Sequence, residues 1–102
     1  MTATTPDLLD IGDSERFLAG LNDWVAMESP TADPAAVNRL MDRVAADCAA
    51  IGAGIERIPG RDGRGDHLIV RSPWGEPEQK GILLLAHLDT VHPVGTLARN
   101  PI

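Results

Sequence analysis

The stretch Ile82-Leu83-Leu84-Leu85-Ala86 constrains this chain more than any other feature. It carries no polar residue between Gly81 and His87, so it has no face suited to water. A half-buried strand alternates apolar and polar residues. An uninterrupted run of this length suits a central strand covered on both sides, although periodicity alone does not separate it from a buried helical segment. We read Gly81 to Leu88 as a strand, entered from the breaker-rich loop Ser72-Pro73-Trp74-Gly75-Glu76-Pro77.

The residues before it supply the other elements. Asp13 or Ser14 caps a first helix, with Glu15 in its first turn, where negative charge is favoured. Phe17, Leu18, Leu21, Trp24 and Val25 follow at helical spacing and read as core. Ser29-Pro30 and Asp33-Pro34 end that helix, since a residue before proline is pushed out of the helical region. A second helix is expected from about Pro34 to Ile51, with Val37, Leu40, Met41, Val44, Cys48 and Ile51 on its apolar face. Gly52 or Gly54 stops it. Ile55 to Ile58 and Asp66 to Arg71 are short strands around the turn Gly60 to Gly65. Residues 1–12 read as a flexible leader.

Two helices followed by three strands give an α/β or α+β sandwich. A strand apolar on both faces needs helices on two sides, and only two helices are available. Residues 13–102 are therefore expected to be the N-terminal portion of a larger fold.

Composition narrows the function classes. At 102 residues the chain holds one domain at most. Its net charge of -6 argues against nucleic acid, which is bound through basic patches. No apolar run is long enough to span a bilayer, and the N-terminus lacks a secretory signal. With Cys48 as its only cysteine it forms no internal disulfide, which fits a cytoplasmic setting.

The chemistry lies at the exit of the third strand. Residues two apart in a strand share a face, so His87 and Asp89 lie together while Leu88 turns to the core. Ligands of α/β sheets gather at the carboxyl ends of strands. An imidazole there can bind a metal through one nitrogen, while a carboxylate accepts from the other and fixes the tautomer. His87 is the candidate metal ligand, and Asp89 the candidate catalytic-site residue that orients it. His-x-Asp pairs also occur by chance, and a catalytic zinc needs about three protein ligands. No second ligand is evident from spacing.

The stretch Leu83 to Thr96, with His87-Leu88-Asp89-Thr90-Val91 at its centre, resembles the first metal-site motif of the di-zinc amidohydrolases and exopeptidases. That family includes glutamate carboxypeptidase, acetylornithine deacetylase, succinyl-diaminopimelate desuccinylase and aminoacylase. The tail Gly95 to Ile102 is most similar to the glutamate carboxypeptidase-like branch. The two helices and the Glu28-Ser29-Pro30-Thr31 turn fit the family's opening, and the resemblance implies that residues 13–102 are the N-terminal portion of a three-layer α/β/α catalytic domain. The resemblance implies that His87 ligates zinc and that Asp89 holds His87 in place. His92 falls where the family often has an aromatic residue, so no metal role is carried to it.

For a complete member the resemblance implies a metallopeptidase or amidohydrolase with two zinc ions, cobalt and manganese being other ions such ligands suit. Its substrate would be a small peptide or an N-acyl amino acid, and the whole protein would form a homodimer. The other ligands, the general base and the dimerisation or lid domain would lie beyond Ile102, leaving this chain inactive alone. The rival readings are a non-catalytic α/β module for binding or assembly, and a truncated product without function.

The remaining residues have plainer readings. Cys48 is a small buried hydrophobe. His67 is a hydrogen-bonded strand histidine. Gly60 to Gly65 lacks the Lys and Ser/Thr of a phosphate loop and precedes no helix. Arg64-Gly65-Asp66 matches an adhesion tripeptide by coincidence. Trp74 anchors its loop on the sheet, and Glu28 lies on a solvated face.

Overall fold

The computed structural model describes residues 12–76 and 78–102. Most of the expected leader, residues 1–11, lies outside them. The described residues form a small mixed α/β structure with three helices and a two-stranded antiparallel sheet.

Helix α1 (Ser14–Val25) starts where Asp13 accepts from the N–H groups of Glu15 and Arg16. Helix α2 (Pro34–Ala50) has Asp33 as its cap, accepting from Ala36 N–H at 3.0 Å, with Pro34 opening the first turn. It ends at Gly52, whose φ of 88° belongs to the left-handed region. Gly52 N–H bonds to the Ala49 carbonyl and Ala53 N–H to that of Cys48, which satisfies two terminal carbonyls.

Strand β1 (Gly54–Ile58) pairs antiparallel with β2 (His67–Arg71), in the register Ile55 to Val70 and Arg57 to Leu68. The connection turns at Asp62 and Gly63, both at positive φ. Arg64 N–H closes this turn on the Arg61 carbonyl. Gly65 is buried against α2, and a Cβ there would collide with the Val37 side chain.

The core is the inner face of α2, where Ala36, Val37, Leu40, Met41 and Val44 are buried. The expected Cys48 is only half-buried and Ile51 is exposed. Arg57 fastens the sheet to α2: it donates to Asp42 at 2.7 Å and to Asp66 at 2.9 Å, and more weakly to the Asn38 carbonyl. Asn38 in turn accepts from Asp66 N–H. The carboxylate of the Arg64-Gly65-Asp66 tripeptide is thus spent inside the fold.

The expectations for the third strand, the α1 stripe and Trp74 need correction. The third strand does not form: residues 81–89 carry no ladder, and Ile82 to Leu85 are each more than 80% exposed. A doubly covered strand needs neighbours on both edges and layers on both faces, and the described residues supply none. The described residues show the mixed α/β class and do not by themselves show the three-layer α/β/α arrangement. The α1 stripe is not core either, because Phe17, Leu18, Leu21 and Val25 are exposed and no residue of α1 is buried. Trp24 is half-buried, and its indole N–H donates to Asp47 on α2 at 2.8 Å. Trp74 is 74% exposed and does not pack on the sheet.

Candidate functional site

The site assembles where the loop between α1 and α2 meets the end of the extended segment. Ser29 and Thr31 flank Pro30, which forms a parallel bridge with Thr90. Thr90 N–H bonds to the Ser29 carbonyl at 2.8 Å, and Thr31 N–H to the Thr90 carbonyl at 3.0 Å. The buried Ser29 hydroxyl donates to the Leu88 carbonyl at 2.7 Å. These bonds fix residues 88–90, although 81–87 before them have no strand partner.

His87 and Asp89 come together on this rib. His87 Nδ1 lies 3.0 Å from the Asp89 carbonyl oxygen and 3.4 Å from Asp89 Oδ1. Both are acceptors, so in the neutral ring Nδ1 carries the proton and Nε2 the lone pair. The nearer acceptor is the Asp89 backbone, with the carboxylate as the looser second contact. The sequence reading had the carboxylate alone in that role. The His87 side chain is 84% exposed, and its Nε2 has no protein partner among the described residues.

Asp89 is the more enclosed of the two, at 33% exposure. Its Oδ2 accepts from the Thr31 hydroxyl at 2.7 Å. That bond holds the carboxyl below its ordinary range against the opposing effect of partial burial, with its own N–H and His87 adding to the effect. Asp89 is therefore an anion in this site at neutral pH.

Two clefts flank the rib. A cleft of about 540 Å³ lies between α2 and the start of β2, bordered by Thr31, Met41, Asp66, His67, His87 and Asp89. An apolar one of about 350 Å³ lies on the other side, bordered by Leu21, Trp24, Val25, Leu40, Leu88 and Leu97. This second cleft shows why part of the α1 stripe is open: Leu21 and Val25 line a hollow in place of filling a core.

Glu28, read from sequence as solvated, accepts from Gly95 N–H through both oxygens and more weakly from Leu97 N–H. It secures the short helix α3 (Thr96–Arg99) that follows the His87 segment. Sequence reasoning missed Glu28, Ser29 and Thr31 as site residues. The only signal was their place in the Glu28-Ser29-Pro30-Thr31 turn, because their partners lie 58 to 69 residues away.

The donor set fits one ligand position of a metal centre. His87 offers an exposed Nε2 with its tautomer fixed. Among the described residues no group of three or more His, Cys, Asp or Glu is arranged to hold an ion. His92 is exposed on the wall of the apolar cleft. No helix of the described residues is long and apolar enough to cross a membrane.

Comparison with protein-family models, with curated proteins and with solved structures returns no match.

Proposed function

We propose that this chain carries one metal-ligating corner of a zinc-dependent hydrolase that cleaves an amide bond in a small peptide or N-acyl amino acid. The observation that carries the reading is the His87–Asp89 arrangement: Nδ1 held by the Asp89 carbonyl and carboxylate, and Nε2 open to solvent. The sequence resemblance of Leu83 to Pro101 supplies the reaction class.

His87 would hold a divalent ion through Nε2. When bound, such an ion lowers the pKa of a bound water and polarises the substrate carbonyl. Asp89 keeps the ring in the tautomer that leaves Nε2 unprotonated and free to face an ion. Ser29 and Thr31 keep Asp89 in place. The cleft beside Thr31 and Asp89, the more polar of the two, offers room for a polar group near His87, and the apolar cleft offers room for a hydrocarbon side chain. Within this proposal the remaining ligands and the general base are not among the described residues.

The test uses the product of the complete reading frame, loaded with zinc and assayed against dipeptides and N-acyl amino acids. Chelator-sensitive hydrolysis, lost in His87→Ala with the fold retained, is expected. Hydrolysis untouched by His87→Ala, or no hydrolysis of any amide by the metal-loaded protein, would overturn it.

A further inference from the structure

We propose that Thr31 is the positioning residue of the His87 site, acting through Asp89. The inference rests on the metal-ligand reading for its purpose, but not for its test.

Thr31 is fixed before its side chain does anything. Its N–H is bonded to the Thr90 carbonyl, and the neighbouring Pro30 bridges Thr90. The hydroxyl therefore reaches the exit segment from a rigid backbone. It lies 2.7 Å from Asp89 Oδ2 and 3.1 Å from the Thr90 carbonyl. One hydroxyl proton serves one acceptor at a time, and the shorter, charge-assisted bond to the carboxylate wins.

This leaves the two Asp89 oxygens with separate tasks. Oδ2 is occupied by Thr31, and Oδ1 faces His87 Nδ1 at 3.4 Å. Without the hydroxyl the carboxylate can rotate about its terminal torsion, which is soft and roughly two-fold. The Asp89 carbonyl would still face Nδ1, so the ring would lose one of its two acceptors. Its hold on the Nδ1–H tautomer would weaken without any loss of packing, because Thr31 is exposed and fills no core space.

The experiment reads the His87 ring tautomer in the metal-free 102-residue chain by ¹⁵N NMR, above about pH 8, where imidazole is neutral. Wild type is expected mainly as Nδ1–H. Thr31→Val keeps the shape and removes the hydroxyl, and is expected to shift the ring toward Nε2–H. Thr31→Ser should restore the wild-type ratio. In an Asp89→Ala background, Thr31→Val should cause no further shift, an outcome that a merely structural role would not give.

An unchanged tautomer ratio in folded Thr31→Val overturns the proposal, as does a wild-type ring already in the Nε2–H form. If Thr31→Val does not fold, Thr31→Ala takes its place. Failure of both to fold makes Thr31 a folding element and also overturns it. No metal or substrate enters the measurement, so its failure is distinct from failure of the hydrolase reading.

Discussion

Arg57 and Asp66 meet at 2.9 Å between Nε and Oδ2, at the junction of β1, the turn and α2. Asp66 also accepts from Gly60 N–H through Oδ1 at 2.8 Å. The Gly60 bond first, and Arg57 after it, hold the Asp66 carboxyl below its ordinary range. A carboxyl with a lowered folded-state pKa contributes stability that is complete above its unfolded value of about 3.9. That contribution is lost as pH falls through the folded value. Urea unfolding of wild type should therefore weaken progressively below about pH 5. Asp66→Asn should have a lower midpoint at neutral pH and a flatter acid limb. Equal slopes for the two proteins would show that the pair contributes nothing to acid sensitivity.

Gly65 is a position where only hydrogen fits, because Val37 occupies the space of a Cβ. Val37 is 4% exposed and belongs to the α2 core, so it has nowhere to retreat. Gly65→Ala should cost about 1–3 kcal/mol by overpacking. Val37→Ala opens the space at its own cavity cost. The double variant should then lose less than the sum of the two single losses, as contacting residues do. Strict additivity in denaturant melts would mean that the two sites do not touch.

The elements decided by local rules were legible in the sequence. Asp33 and Pro34 start α2 and Gly52 stops it, because capping needs only residues within a few positions. Val37, Leu40, Met41 and Val44 follow from helical period, and all four are buried. The α1 stripe has an equally good period, yet Phe17 and Leu18 remain exposed. Period says which residues share a face, and not what covers that face. The His87–Asp89 pairing was legible because the two residues are only two positions apart, although the strand expected to align them does not form. Thr31 was not, because the loop before α2 reaches the exit segment across 58 residues of sequence.

Leu40 is 3% exposed and sits near the centre of the buried face of α2. With so small a core, its truncation has few neighbours to share the loss. Leu40→Ala should destabilise by about 2–5 kcal/mol, a large share of what a domain of this size possesses. Circular-dichroism melting should show a loss of cooperativity or no folded baseline at all. A near-neutral change would mean that α2 is held by its polar bonds, such as Arg57 to Asp42, and not by apolar burial.

Ile82, Leu83, Leu84 and Leu85 stand open along a segment with no charge between Lys80 and His87. Such a segment is a template for pairing between molecules. The 102-residue chain on its own should associate as concentration rises, seen in light scattering. Leu84→Lys places a charge in the middle of the run and should suppress that association. The α2 core should melt as before, since Leu84 is 86% exposed and contributes no buried packing. Unchanged scattering in Leu84→Lys would move the sticking surface elsewhere, with the exposed α1 stripe next in line.

A lone imidazole makes a weak zinc site, since stable sites take about three protein ligands. His87 is the one candidate the described residues present in suitable form. Zinc titrated into the 102-residue chain should therefore give no tight isotherm by calorimetry. Weak, fast-exchange shifts should still appear in the ¹⁵N signal of His87 Nε2, where the lone pair faces solvent, and be absent in His87→Ala. Asp89→Ala should weaken those shifts without abolishing them, because the carboxylate acts on the ring and does not bind the ion itself. Sub-micromolar zinc binding that vanishes with His87→Ala would mean that further ligands within these 102 residues converge on His87, and the division of the metal centre proposed here would fall.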